Sequence, residues 1–575
     1  MSETIEYDLI VIGAGHAGCE AALSGARMGK KTLIFSMNLD AIAQMSCNPA
    51  IGGLAKGHIV REIDALGGEM AKISDKTAIQ YRMLNTKKGP AVWAPRAQCD
   101  RKLYRAAMQK TIQAQANLEV MQQEAVEIIT ESRKAKGVIT KTGMRFYSKA
   151  VIVATGTFLN GLVHIGEKTY PAGRAGEPPS LGLSESLKAL GFEIKRLKTG
   201  TPPRVSKSSL DVSGLQPQHG DDKPCFFSYS TKELTLPQVP CYITYTNKET
   251  HRILEENLSR APLYTGQIKA TGPRYCPSIE VKIVKFSDKE RHQVFIEPEG
   301  LDSDEMYLNG LATSMPEDVQ LDMVRSIPGL ENARITRFGY AIEYDFAPPQ
   351  QLKPTLETKL IENLYFAGQI NGTSGYEEAA GQGLLAGINA VLKLDGRTFI
   401  LGRHEAYLGV LVDDLVTKGT EEPYRMFTSR AEYRLLLRQD NADIRLTEYG
   451  HEFGLVCNKR YNKMLDKKHQ VTQAVECLKR GRETGFDEEI NKQAEIEIKY
   501  EGYIKRELNR VEKLKKLEKL LIPQNVEYDN IKGLRKEAKE KLSSIKPHSI
   551  GQAGRISGIS PCDISMLLVY LEKNR

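Results

Sequence analysis

The chain has 575 residues, 41% hydrophobic and 26% charged, an ordinary composition for a folded protein with a large core and several domains. No apolar run reaches the roughly 20 residues of a membrane helix. Nine cysteines, odd in number and without metal-type spacing, argue against a secreted disulfide framework. The expected compartment is therefore the reducing cytoplasm, and the acidic stretch 1–7 does not read as a signal peptide. The net charge of +8 permits an anionic partner without requiring one.

Residues 7–12, Tyr-Asp-Leu-Ile-Val-Ile, read as a buried parallel strand. They run straight into Gly13, Ala14, Gly15, His16, Ala17 and Gly18, then into an alanine-rich helix to about Met28 and a second strand over 31–35. In this strand–turn–helix setting the Gly-x-Gly-x-x-Gly motif predicts a dinucleotide site. Gly13 makes the turn, Gly15 admits the pyrophosphate and Gly18 lets helix and strand pack closely. The helix N-terminus then faces the phosphates. Where an acid usually ends the second strand, Ser36 stands, a weaker partner for a ribose, so this motif alone leaves the cofactor open.

Cys47 follows in Ser46-Cys47-Asn48-Pro49-Ala50-Ile51-Gly52-Gly53, with Lys56, His58 and Arg61 close behind. Its small neighbours let a ligand approach. The alternative is a loop capping a helix through Ser46 or Asn48. Cys19, on the first helix, reads as core packing. A strand at 149–154 entering Thr155-Gly156-Thr157, and another at 364–367 entering Gly368-Gln369, resemble the returning elements of two-dinucleotide-domain flavoproteins and favour flavin.

Residues 200–278, rich in Pro, Thr and Ser, read as an insertion that delivers Cys276 to the site. The thiol lies between Pro273 and Pro277 and beside Arg274, and a guanidinium stabilises the nucleophilic thiolate. Residues 292–295, 337–345 and 364–367 read as a return to the first domain. The expected fold is α/β, with a discontinuous Rossmann-like FAD-binding domain over 1–199 and 279–400. It carries an inserted α/β domain over 200–278, and a C-terminal all-helical domain over 401–575. In that last part Arg430, Arg434 and Arg438 recur every four residues. On a helix they share one face, suited either to a phosphate backbone or to pairing with Glu432, Asp440 and Asp443. Ile504, Leu508, Val511, Leu514, Leu517 and Leu521 predict a long helix, and Ser560-Pro561 a helix start.

Together these strings closely resemble the MnmG (GidA) family, the tRNA wobble-uridine 5-carboxymethylaminomethyl modification flavoproteins, over nearly the whole chain. The likeness rests on residues 13–18 with His16 inside, the Cys47 loop, 272–286, 367–372 through Gly375-Tyr376-Glu377-Glu378 to Asn389, and 428–443. It implies FAD at 13–18, with contacts from Ser36, Val126, Ser180 and Gln369. It implies NADH as reductant, with Gly272, Pro273, Arg274 and Tyr275 in the nicotinamide-associated segment. Methylenetetrahydrofolate would give the one-carbon unit, and glycine or ammonium the nitrogen. Arg274, Arg430, Arg434 and Arg438 would meet tRNA. The partner would be the GTPase MnmE, two copies of each protein, around a homodimer. A nucleophile adding to uridine carbon 6 makes carbon 5 reactive, and Cys276 is the first candidate. Cys47 is the second, or a general acid/base.

Three other readings compete. A folate-dependent tRNA uridine methyltransferase of the TrmFO kind lacks the long helical tail. A disulfide oxidoreductase wants a close cysteine pair, which this chain does not have. A flavin-dependent tRNA-binding scaffold would leave nucleosides unchanged.

Overall fold

The fold is taken from a computed structural model that describes residues 6–523 and 525–573. The first sheet runs in the order Leu118–Gln122, Thr32–Ser36, Glu6–Ile12, Arg145–Val153, Lys134–Thr140, Ala125–Glu131, with Leu364–Phe366 also pairing on Arg145–Val153. Leu9 lies parallel between Thr32 and Ala150, and Leu9 to Ile12 are buried on both faces, as a strand covered by helices on each side must be. The helices His16–Arg27 and Tyr376–Leu394 pack with backbone nearly touching. A Cβ on Gly383 would lie 1.9 Å from the Ala17 carbonyl oxygen. Cys19 sits in that core with no exposure.

The second body is larger than the insertion expected over 200–278. Its antiparallel sheet joins Gln216–Gln218, Cys241–Tyr245, Gln293–Pro298, Glu305–Asn309, Arg204–Ser206 and Ile335–Arg337. Residues 293–298 therefore do not return to the first domain: Phe295 pairs with Ile243 and with Asn309. The apolar faces of these strands close over a core of Val205, Leu254, Ile279, Ile296, Leu308 and Met323, so the body continues to Arg337. Tyr340–Phe346 does not rejoin the first sheet either. It pairs with Lys195–Thr201 and Leu162–Ile165 in a small connecting sheet. A discontinuous dinucleotide-binding fold with an inserted α/β body is thus present, with its inner boundary moved.

From residue 401 the described secondary structure is helical. Asn458–Lys479 packs on the long Glu488–Glu518 through Val471, Ala474, Ile490 and Ala494. The last helices close over Tyr528, Leu534, Leu542 and Leu567, and the Ser560 hydroxyl accepts from the Asp563 N–H at the start of Pro561–Lys573. Among the described residues no helix is long and apolar enough to cross a membrane.

The expected helix through Arg430, Arg434 and Arg438 is absent. Thr428–Arg430 and Gln439–Asn441 are single 3-10 turns, joined by irregular backbone. Side chains take the bonds a helix would use: Arg438 donates to the Leu435 carbonyl and to Asp440, and Asn441 donates to the Leu436 carbonyl. Arg438 is 2% exposed, Arg430 lies over the Tyr424 ring at 4.2 Å, and Arg434 is exposed. The three arginines do not form one face.

Candidate functional site

The glycine turn carries out three separate geometric tasks. Gly13 has φ +98°, and a Cβ there would lie 2.5 Å from the Ala154 carbonyl oxygen, so the neighbouring strand end excludes one. A Cβ on Gly18 would lie 1.7 Å from the Gly13 carbonyl oxygen, where helix and turn touch. A Cβ on Gly15 would meet nothing within 4 Å, leaving the backbone open to the cleft. Gly13, Ala14, Gly15, His16 and Ala17 line a large cavity that the helix N-terminus faces, and Gly18 lies behind it.

Ser36, Ser180 and Gln369 line the same cavity. The Ser36 hydroxyl already donates to the Asn38 carbonyl at 2.8 Å. Val126 does not line the cavity. Gln123, Glu124 and Ala125 line it, while Val126 packs against Gly182. Three buried polar atoms of the lining, His16 Nε2, Thr155 Oγ1 and Arg425 Nε, have no partner among the described residues. His16 stacks on Tyr376 at 4.6 Å, and burial pulls its pKa down to about 4, so the imidazole is neutral near pH 7. Open backbone at Gly15, a helix N-terminus and unpartnered polar atoms are what a bound dinucleotide requires.

Cys47 borders this cavity and is braced on every side. Its N–H donates to the Tyr376 hydroxyl at 2.6 Å, and its carbonyl accepts from Arg101 at 2.7 Å. The Ser46 carbonyl accepts from Arg204 at 2.9 Å, and the Ser46 hydroxyl from Arg174 at 2.9 Å. Glu299 joins Arg101 at 2.7 Å to Arg204 at 3.1 Å. The sulfur lies 2.9 Å from the Tyr307 hydroxyl. The loop leads into the strand Ala50–Gly52, so neither Ser46 nor Asn48 caps a helix; the next helix, Lys56–Ala65, begins after Ala55. Lys56, His58 and Arg61 point inward: Lys56 pairs with Glu377 and Glu378, His58 is buried against Tyr407, and Arg61 lies over Tyr229 at 3.9 Å.

Cys276 reaches the cavity from the second body. Pro273 and Cys276 line it, while Arg274, Tyr275 and Cys276 are exposed. Gly272 lies against the Lys198 stem, and the Tyr275 ring sits 4.3 Å from Phe427. Lys198, Lys282 and Arg425 are cations within electrostatic reach of Cys276. Lys282 follows Cys276 by six positions, while Lys198 and Arg425 are remote in sequence; the sequence pointed only to Arg274. Tyr307, Arg101, Arg204 and Glu299 carry no local signal in the sequence: the first three are ordinary strand or helix residues and Glu299 follows the strand Gln293–Pro298, until the fold brings them to the Cys47 loop. Tyr376 stood in a recognised string but without a role.

Residues 8–398 match the family described as glucose inhibited division protein A, and 510–575 match the tRNA modifying enzyme MnmG/GidA C-terminal helical bundle. The tRNA uridine 5-carboxymethylaminomethyl modification enzyme MnmG of Geobacillus kaustophilus is 55% identical, over 99% of this chain and 98% of that protein. The protein of the same name from Thermodesulfovibrio yellowstonii is 54% identical over the same shares. The solved structure of Aquifex aeolicus GidA superposes with TM-score 0.93 at 53% identity, covering 99% of this chain and 100% of that one. With both family models and whole-length relatives in agreement, the chain belongs to the MnmG/GidA family.

Proposed function

We propose that this protein is a tRNA-modifying flavoenzyme that installs a carboxymethylaminomethyl or aminomethyl group at carbon 5 of the wobble uridine. The reading rests on one observation above the rest: a dinucleotide turn and two cysteines 229 positions apart in sequence border a single cavity. FAD is the cofactor that fits. Gly13, Gly15 and the helix N-terminus would hold its pyrophosphate, with Ser36, Ser180 and Gln369 along its length. When bound it supplies redox and one-carbon chemistry that no side chain offers. NADH as reductant, methylenetetrahydrofolate as one-carbon donor and glycine or ammonium as nitrogen source complete the substrates. The GTPase MnmE and tRNA are the partners, with a homodimer at the centre.

Within this scheme Cys276, at the open side of the cavity among Lys198, Lys282 and Arg425, is the nucleophile. Its sulfur bonds to uracil carbon 6, and electron density moves to carbon 5 and the carbonyl at carbon 4. Cys47, on the braced wall, holds or moves the proton. The base must leave its stack to reach the cleft. Arg274 and Arg434 are exposed and suited to phosphate, and Arg430 is half-buried. Arg438 is assigned to structure and not to tRNA.

The test is nucleoside analysis of tRNA from cells lacking the gene and from cells complemented with the wild-type, Cys47→Ser or Cys276→Ser protein. Loss of the modified wobble uridine, restored by wild type only, is expected. An unchanged nucleoside profile in the deletion strain would leave a binding scaffold instead.

A further inference from the structure

The wall behind Cys47 holds a residue that neither the cleft nor the sequence pattern draws attention to. Tyr307 lies on the strand Glu305–Asn309 of the second body and is 2% exposed. Its hydroxyl sits 2.9 Å from the Cys47 sulfur, and either atom can be the donor. Arg204, on the adjacent strand Arg204–Ser206, places its guanidinium 5.1 Å from the Tyr307 ring centroid. Cys47 belongs to the first body and Tyr307 to the second, so this contact forms only where the two bodies meet.

We infer that Tyr307 is the positioning residue of Cys47: its buried phenol donates a hydrogen bond to the Cys47 thiolate and sets how readily that sulfur gives up its proton. The contact differs between the two protonation states of Cys47. With Cys47 as thiol, S–H and O–H share one contact, and one of the two hydrogens is left without an acceptor there. With Cys47 as thiolate, the phenol O–H points at the charge, a charge-assisted bond that is stronger than its neutral form. The phenol cannot itself become the anion, because burial pushes its pKa well above the ordinary tyrosine value. The proton that leaves sulfur therefore goes to solvent or substrate, and Tyr307 keeps its own.

The charged groups facing the loop carry both signs, but each carboxylate has its own cation: Glu377, which accepts from the Gly52 N–H, pairs with Lys56, and Glu177 pairs with the Arg174 that donates to Ser46. Arg101, Arg204 and Arg425 are cationic. Glu299 is spent on Arg101 and Arg204. Tyr376, its pKa also raised by burial, is a neutral acceptor for the Cys47 N–H. The proposal rests on Cys47 being a working residue of the site, but its chemistry can be read without any tRNA.

The experiment measures alkylation of individual cysteines by iodoacetamide across pH 6 to 10 on the full-length purified protein, with each site quantified by mass spectrometry. Sulfur attacks the methylene carbon and iodide leaves, so the rate follows the thiolate fraction. Tyr307→Phe keeps the ring and removes only the hydroxyl. The expected result is a rise of about one pH unit in the Cys47 midpoint, the size of one lost hydrogen bond to a charged group. The Cys276 midpoint should stay where it is in the same sample. An unmoved Cys47 midpoint in a variant that melts like the wild type would overturn the inference. So would equal shifts at both cysteines, which would mark a general loosening. Tyr307→Leu, which is smaller and carries no donor, should reproduce the shift. Failure of the tRNA assignment would leave all these outcomes readable.

Discussion

The two sides of the cleft are built on opposite plans. On the inner wall every group near Cys47 is fixed: its N–H, its carbonyl, the Ser46 carbonyl and its sulfur each have a named partner at 2.6 to 2.9 Å. On the rim, residues 272–277 hang between two anchors, the Thr271 carbonyl bonded to the Lys198 N–H and the Ile279 N–H bonded to the Ala312 carbonyl. Arg274, Tyr275 and Cys276 between them are exposed. A braced wall is preorganised for chemistry that recurs unchanged, and an exposed rim can adapt to a large partner whose docking orders it. Both cysteines should be essential to turnover, but only one should matter to the resting fold.

The largest expected effect tests that pairing directly. Cys47→Ala and Cys276→Ala should each lower tRNA modification by about a hundredfold or more. They should separate in thermal unfolding. Cys276→Ala should leave stability within about 0.5 kcal/mol of wild type, as a change at an exposed position does. Cys47→Ala should cost about 1 kcal/mol, because it strands the buried Tyr307 hydroxyl. Equal melting behaviour would erase the distinction between wall and rim.

Gly18 and Gly15 sharpen it next. Gly18→Ala forces a methyl to 1.7 Å from a backbone oxygen with no room to yield, and about 3 kcal/mol should be lost in denaturant titration. Gly15→Ala adds its methyl to open space, so the fold should be untouched while flavin content of the purified protein falls. Within the arginine segment the same logic separates Arg438 from Arg434. Removing the buried Arg438 leaves the Leu435 carbonyl and the partly exposed Asp440 without their partner, at a cost of about 2 kcal/mol. Arg434→Ala should leave melting unchanged and weaken tRNA binding in a salt-dependent way, checked by titration at two ionic strengths.

What could be read from the sequence follows the range of the physics involved. The glycine turn, the first strands, the Ser560 start and the long helix 488–518 obey local rules, and the chain shows each of them. Two failures share another origin. The spacing of Arg430, Arg434 and Arg438 satisfied a helical period, but Arg438 and Asn441 spend their donors on nearby carbonyls and break the ladder. Residues 293–298 have the apolar character of a core strand, and nothing local says which sheet will take them. The partners of the two cysteines are the extreme case. Tyr307 is 260 positions from Cys47, and two of the cations around Cys276, Lys198 and Arg425, come from distant parts of the chain. Such contacts are a property of topology, which sequence periodicity does not encode.

The smallest effect near neutral pH concerns the inner wall alone. His16 is buried beside Tyr376, and burial takes its pKa from 6.5 to about 4. A histidine held neutral in the fold contributes stability that is complete above its unfolded pKa of 6.5 and is lost as pH falls toward the folded value. The loss attributable to His16 should be below about 1 kcal/mol at pH 6 and approach about 3 kcal/mol near pH 4. Carboxylates elsewhere add their own acid sensitivity, so the informative quantity is the difference between wild type and His16→Asn, a variant that cannot take up the proton. Unfolding midpoints measured from pH 7.5 to 4.5 should converge as pH falls, because only the wild type carries the histidine penalty. Parallel curves would mean that His16 is hydrated in solution. The wall would then open to water as the rim does, and the contrast between the two sides of the cleft would not survive.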